Sequence, residues 1–431
     1  MRTMQCRAGA EWDPLREVMV HEPGIEVFFA LLSPSAHLYE RFFNLSEAQR
    51  EHRHLCTLLR ESFGVKVVSI SDAVATRARK DPAFHRDLAA LAASRLGRRC
   101  EDAGCELSPG LQREREAPLS LDERDAGHLL DIIRLNPTLV HTAAAIRVEL
   151  ERPLHNLYFL RDQQACTDRG MVLGRMARRE REHERDLTGL ALAAIDAAPV
   201  MRIGDGYLEG GDVMPAGTFA LVGYGTRTTR RGAEELMAGG LGFDEVALVR
   251  QPSHPLVAGR DAMLAMHLDT YCNIPAAGVC VGTPALLHAA EVEVFHKTSG
   301  GYEPAGPPAP LDAYLADRGF EVIEITTLEQ LCYASNFLCI RDGECIAPDT
   351  ARIAPAVLER LSEKARRNPQ KYGPLLRQAE HDYAILRADA EFFPHKREVY
   401  ARGLDMTPLM LTNATGGYGG AHCMTCVLRR G

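Results

Sequence analysis

Leu208-Glu209-Gly210-Gly211-Asp212-Val213, then Phe219-Ala220-Leu221-Val222-Gly223, then a charged stretch from about Thr229: this succession of polar cluster, short apolar strand and helix is the unit from which the chain is built. A brief apolar run bounded by glycine reads as a buried strand. The same succession recurs on either side. Upstream it runs Leu160-Arg161-Asp162-Gln163-Gln164, the strand Met171-Val172-Leu173-Gly174 and a helix around Ala177-Arg178-Arg179-Glu180. Downstream come His267-Leu268-Asp269-Thr270, Gly278-Val279-Cys280-Val281-Gly282 and a helix from Pro284. A fourth unit is Ala334-Ser335-Asn336-Phe337-Leu338-Cys339-Ile340, the turn Asp342-Gly343, and Cys345-Ile346-Ala347. The spacing is longer and less even than that of a solenoid repeat. Units that each aim one polar loop the same way predict a closed, propeller-like α/β arrangement.

Further out, residues 16–21 read as a strand ended by the turn Glu22-Pro23-Gly24. Residues 45–64 read as a helix, and 65–70 as a second strand, with Ser71-Asp72 as the next helix N-cap. From there to about 145, apolar residues at helical spacing (Leu88, Leu91, Leu96; Leu129, Leu130, Ile133) amid many charges predict a helical insertion over 72–146. Residues 352–398 read as a second, charged helical insertion before a final strand from Pro408 to Leu411. Together, 1–431 reads as one domain carrying both insertions.

The chain has 431 residues, 46% of them hydrophobic and 25% charged, and a net charge of -8. That balance points away from nucleic acid and anionic membrane as partners. No apolar run approaches the ~20 residues that span a bilayer. The start, Met1 to Cys6, lacks the apolar core of a signal peptide. Twelve cysteines thinly spread over this length suit a reducing cytoplasm better than a disulfide framework. A small-molecule substrate fits this composition, and a homo-oligomer is compatible with it.

The chemistry gathers at the end of the chain. In Gly416-Gly417-Tyr418-Gly419-Gly420-Ala421-His422-Cys423-Met424-Thr425-Cys426, four glycines allow close backbone approach to a ligand and a thiol follows. The recurring polar loops offer Asp162, Glu209, His267 and Asp269. Taken singly, each has an ordinary role in a turn or cap, and His267-x-Asp269 reads as two side chains on one face of a strand. Taken together, three carboxylates in one pocket need a cation to remain ionised. A metal is one candidate, although the spacings match no zinc motif and His422-Cys423-x-x-Cys426 has no second half. A guanidinium is the other: it stays charged, and its planar fork suits paired carboxylates. A thiolate beside it could attack the central carbon.

These motifs resemble the arginine deiminases, of the guanidine-modifying, amidinotransferase-like superfamily. The likeness runs from Cys6-Arg7-Ala8-Gly9-Ala10-Glu11-Trp12 and Val18-Met19-Val20-His21-x-Pro23-Gly24 through Asn156-x-x-Phe159-x-Arg161-Asp162, Ala177-Arg178-Arg179, Glu209-Gly210-Gly211-Asp212-Val213 and His267-x-Asp269-Thr270 to Gly420 through Cys426. The resemblance implies a five-bladed, pseudo-symmetric α/β propeller of repeated ββαβ units with an inserted helical domain. It also implies hydrolysis of a guanidino group, L-arginine to L-citrulline and ammonia, with neither metal nor organic cofactor. Cys423 is then the nucleophile, Asp162 and Asp269 clamp the guanidinium, His267 moves protons and Glu209 orients His267. Arg178 and Arg227, with Asn156, are expected to meet the substrate carboxylate, and Phe159 to line the pocket.

Three features depart from the family pattern. Tyr418 stands where the family usually has a gating arginine. Leu38 to Leu45 replaces its Phe-Asp-Asp motif, and 352–398 is additional. All three bear on what enters the pocket. Open alternatives are therefore a different guanidino substrate, transfer of the amidino group to an amine, a non-catalytic arginine-binding relative, or a zinc hydrolase built on Cys423 and Cys426.

Overall fold

A computed structural model describes residues 5–101, 109–116, 121–142, 145–150 and 152–431. Within it, every sheet has a central strand with an antiparallel neighbour on one side and a parallel neighbour on the other, and five of these sheets lie outside residues 97–150. The antiparallel neighbour comes from a hairpin in four of them. The parallel one is reached through helices, as a same-direction return requires. Phe219–Tyr224 lies between Val213–Ala216 and Glu245–Arg250, the last reached through the helix Arg230–Gly239. Met171–Leu173 lies between Gln164–Cys166 and Met201–Arg202. Val279–Gly282 lies between Cys272–Ala276 and Glu321–Glu324, and Glu344–Pro348 between Leu338–Arg341 and Asp405–Leu409.

The remaining sheet closes the chain on itself. Leu15–Val20 pairs in parallel with Lys66–Ser69 and antiparallel with the C-terminal strand Cys426–Arg430, which puts Cys426 opposite Met19. Val18, Met19, Val427 and Leu428 are all buried there. The glycine loop and Cys423 are thereby anchored three residues before a core strand. The expected polar-loop repeat is visible in these sheets. Among the described residues, however, hydrogen bonding does not join them into a closed barrel.

The region read as a helical insertion over 72–146 lies partly outside the described residues. Its described part carries helices Ile70–Lys80, Pro82–Arg95 and Ala126–Leu135, but also a three-stranded sheet of Gly97–Cys100, Pro137–His141 and Ile146–Leu150. The first of these strands, Gly97-Arg98-Arg99-Cys100, is charged and mostly exposed, without the alternation that marks a strand in a sequence. The first helix is capped by the Ser69 hydroxyl, which accepts from Asp72 N, two residues before the expected Ser71. Leu88, Leu129, Leu130 and Ile133 are fully or nearly fully buried in the same core as Leu187 and Ala191 of the second unit.

Thr350–Arg367 and Pro369–Asp389 form a helical hairpin. Ile353, Ala354, Val357 and Leu361 make one buried stripe at helical spacing. That stripe packs against Leu375 and Ala379, and against Val257 and Leu264. At roughly 1.5–3 kcal/mol for each large side chain, such burial is enough to pin the loop that also carries Met263 and Met266.

Candidate active site

The polar loops of successive units are stitched together before any side chain reaches the pocket. Arg175 and Leu208 exchange backbone hydrogen bonds at 3.0 Å, bringing Glu209 beside the second unit. Gly210 N donates to Asp162 O at 2.9 Å. A Cβ on Gly210 would lie 2.0 Å from Gln164 O, and one on Gly211 2.9 Å from His267 Nδ1. The Glu-Gly-Gly-Asp sequence is therefore a demand for space: backbone passes on one side and the His267 ring on the other. Asp212 completes the seam, its Oδ1 accepting from Leu268 N at 3.0 Å.

His267 and Asp269 are not on a strand. They lie at the start and middle of a short 3-10 turn, Leu268–Thr270, so their side chains diverge. His267 Nε2 donates to Glu209 Oε2 at 2.9 Å, and Nδ1 is 3.6 Å from Asp162 Oδ1. Asp269 Oδ2 accepts from His422 Nδ1 at 2.8 Å and faces the Cys423 sulfur at 3.6 Å. Cys423, His267, Glu209, Asp162 and Asp269, gathered from four separate loops, are all buried.

Positive charge enters from two arginines. Arg227 Nη1 is 3.7 Å from Glu209 Oε2, and Arg181 Nη1 donates to Asp162 Oδ2 at 2.6 Å. Arg178, the arginine expected here, is absent from the pocket: its side chain is 48% exposed and pairs with Glu180 at 3.5 Å. It is the extended residue before the 3-10 turn Arg179–Arg181. That turn swings the third arginine inward, where Glu184 Oε2, at 2.8 Å, and Asn156 O hold it. The spacing Arg181-x-x-Glu184 was the one available signal for this pair.

Asn156, Phe159, Arg181, Arg227 and Tyr418 surround Cys423, His267 and Asp162 in a cavity of about 20 Å³, room for roughly one water. Leu38 and Tyr418 form part of its wall from left-handed backbone, at φ 62° and 74°. Lys364 of the helical hairpin lies 5.8 Å over the Tyr418 ring. A larger open groove of about 540 Å³ runs beside it between Pro34 to Phe43 and Thr350–Arg367, but it contains no thiol and mixed charges.

The electrostatics divide the labour. Burial pushes the Glu209 carboxyl up, yet the Arg227 guanidinium and the His267 hydrogen bond hold it well below the usual carboxylate range. Burial by itself would lower the His267 imidazole; Asp162 and the Glu209 hydrogen bond instead raise it from 6.5 to about 9. Burial, reinforced by the charges of Asp269 and Asp162, keeps the Cys423 thiol well above its ordinary value. At neutral pH the site therefore holds an imidazolium and a protonated thiol. Asp162 Oδ1, Asp269 Oδ1 and Arg227 Nη1 are buried without a hydrogen-bond partner. Buried polar atoms are normally hydrogen-bonded, so each of these is open to a partner that the chain itself does not supply.

Asp162, Glu209 and His267 also bring one ligand atom each within 4.8 Å of one another, a spacing a metal ion could use. Arg181 and Arg227 already supply positive charge to two of these three. Cys426 does not join Cys423 as a second thiol ligand, being buried in the C-terminal strand against Val427 O.

Comparison with solved structures places this fold in a known class. A cysteine-to-serine mutant of DDAH from Pseudomonas aeruginosa, in complex with citrulline, matches with a TM-score of 0.50 and 14% identity, over 97% of this chain and 100% of that one. Unliganded AgrE matches with a TM-score of 0.50 and 12% identity, over 96% of this chain and 39% of that one. The fold is the α/β propeller-like one of DDAH.

Sequence comparison is narrower. The family model for arginine deiminase matches residues 36–430. The arginine deiminase of Halobacterium salinarum is 27% identical over 499 aligned residues, covering 99% of this chain and 97% of its own. That of Mycolicibacterium gilvum is 30% identical over 315, covering 68% and 73%. The chain belongs to the arginine deiminase family and is a hydrolase acting on a guanidino C–N bond.

Proposed function

We propose that the protein hydrolyses L-arginine to L-citrulline and ammonia through a covalent adduct on Cys423. The observation that carries this reading is the set of buried atoms without a hydrogen-bond partner in the loops that carry the site: carboxylate oxygens of Asp162 and Asp269, and a guanidinium nitrogen of Arg227. A ligand with a guanidinium at one end and a carboxylate at the other matches both kinds. Arg227 and Arg181 take the carboxylate, assisted by Asn156, while Phe159 packs against the chain between. Five of the six like-patterned sheets lie outside residues 97–150, which supports a reading as five blades around this site with the sixth sheet in the insertion. Described cysteines that are all free support a cytoplasmic setting.

The charge states support a defined order of steps. Asp269 and Asp162 oppose ionisation of Cys423 in the free enzyme. A guanidinium between them cancels that opposition, the thiol proton leaves to solvent, and sulfur attacks the central carbon. The His267 imidazolium gives its proton to the departing nitrogen; the C–N bond breaks, ammonia leaves, and an S-alkylthiouronium cation remains. Neutral His267 then takes a proton from water, whose oxygen adds to the same carbon. The C–S bond breaks, the hydroxyl proton is lost, and the ureido product separates from the thiol. Glu209 holds the imidazole in place through both transfers.

The test is direct. Purified protein with L-arginine is expected to release citrulline and ammonia in equal amounts, and Cys423→Ala to bind L-arginine without turnover. Ammonia from none of arginine, agmatine, methylated arginines or peptidyl arginine, with Cys423 unmodified by 2-chloroacetamidine, defeats the reading. A new guanidino product when glycine is supplied as acceptor redirects it to amidino transfer.

A further inference from the structure

Asn336 is a fully buried amide outside the expected catalytic set, 87 residues upstream of Cys423 and in contact with it. Its Oδ1 accepts from Gly420 N at 2.8 Å and from Cys423 N at 3.0 Å. Two backbone N–H groups can only donate, so the oxygen must face them and the amide orientation is settled. The NH2 then faces the other way, donating to Cys423 Sγ at 3.1 Å and to Asp269 O at 3.3 Å. Its backbone carbonyl accepts from His422 N at 3.1 Å. All donor and acceptor positions of one side chain are spent on the nucleophile's loop and the loop carrying Asp269.

The support behind Asn336 is equally specific. Asn273 Nδ2 donates to Ser335 O at 2.8 Å and Phe337 O at 2.9 Å, gripping the residues on both sides. Ser335 Oγ donates to Asp269 O at 3.1 Å. A Cβ on Gly420 would lie 2.9 Å from Asn336 O, so the glycine is needed for this approach.

We propose that Asn336 is a catalytic residue of this site, whose amide NH2 hydrogen-bonds the attacking sulfur while its carbonyl clamps the backbone that carries it. A fixed donor aimed at developing negative charge is worth more in a dry site than in water. Around Cys423 the acidic neighbours oppose the thiolate, and the Asn336 hydrogen bond acts in its favour. The role rests on Cys423 being the nucleophile, but not on which guanidine it attacks.

Asn336→Asp, read against the neutral Asn336→Ser because it also sets a negative charge beside the sulfur, separates the two halves of the proposal. It keeps an oxygen for the backbone N–H groups of Gly420 and Cys423 and replaces the donor facing sulfur with an oxygen. Asn336→Ser, too short to reach the sulfur, is the second variant should the first fail to fold. Iodoacetamide labelling of Cys423 is followed against pH by mass spectrometry without substrate, so the result does not depend on turnover. The labelling profile is expected to move to higher pH by about one unit or more, a tenfold loss of thiolate at a given pH. kcat is expected to fall by about 10²–10³-fold, with KM changed far less. A folded variant with the wild-type labelling profile and undiminished kcat overturns the proposal. Wild-type protein inert toward every guanidine, with the labelling profile still shifted in the variant, defeats the proposed reaction and leaves the contact to sulfur standing.

Discussion

Arg181 donates to Asp162 across 2.6 Å inside the pocket, so a guanidinium of the protein's own already occupies one oxygen of a carboxylate expected to clamp the substrate. The other oxygen, Oδ1, is left without a partner and faces His267. Asp162 therefore has one side committed to the protein and one available to a ligand. The same arginine is bound to Glu184, which receives a further hydrogen bond from Gln163 at 2.6 Å.

Replacing Arg181 and Arg178 should give opposite results. Arg178→Ala changes an exposed residue and is expected to alter stability by no more than about 0.5 kcal/mol, with kcat/KM for L-arginine unchanged. Arg181→Ala leaves Glu184 and Asp162 buried without their cation, a loss of about 3–5 kcal/mol. Arg181→Lys, which retains charge but not the fork, is expected to lower kcat/KM for L-arginine by about 10- to 100-fold. It should affect agmatine, which has no carboxylate, much less. Equal losses on the two substrates would remove Arg181 from carboxylate recognition.

The imidazole of His267, raised to about 9, predicts the alkaline limb of activity. Below that value His267 is protonated and can serve the leaving nitrogen; above it the proton is gone and kcat falls. For stability the sign is the same. The folded value exceeds the ordinary 6.5, so the contribution of the protonated ring is complete below pH 6.5 and is lost as pH rises through about 9. Rate and melting temperature measured between pH 6 and 10 should both decline near the upper value. An alkaline limb centred at 6.5 contradicts this assignment.

Gly211→Ala tests how tightly His267 is placed. The added Cβ would be 2.9 Å from Nδ1 and 3.0 Å from Cγ of His267. A displacement on the order of 1 Å at a reacting group costs about 100-fold in rate. kcat is expected to fall by about that factor, while iodoacetamide labelling of Cys423, which does not use His267, stays at the wild-type rate. Full activity in the variant means the ring can move without penalty.

Tyr418 closes the cavity from a backbone conformation that a large side chain seldom adopts. Tyr418→Gly both removes the ring and suits the positive φ. Methylated arginines are expected to gain in kcat/KM relative to L-arginine, since the Tyr418 ring is part of the wall around Cys423 and its removal makes room for added bulk. Lys364→Ala, which takes the cation from the face of the ring, should move the ratio in the same direction but less. An unchanged ratio in both variants removes Tyr418 from substrate selection.

Local pattern was enough for the recurring unit, for its four polar loops and for Cys423, because strand period and glycine placement are properties of neighbouring residues. Motif order supplied Asp162, Glu209, His267 and Asp269, which the fold gathers from loops far apart in the chain. Which arginine turns inward was not local. Arg178, Arg179 and Arg181 stand in similar surroundings in the sequence, and only the 3-10 turn and the partner Glu184 single out the third. The divergence of His267 and Asp269 likewise depends on a turn where alternation suggested a strand. Asn336 was legible as part of a polar cluster but not as a partner of the sulfur. Its contact spans 87 residues and exists only because two loops meet in the folded chain. The sequence alone determined which chemical groups are present; tertiary packing decided which of them touch, since burial and hydrogen-bond geometry are set by residues distant along the chain.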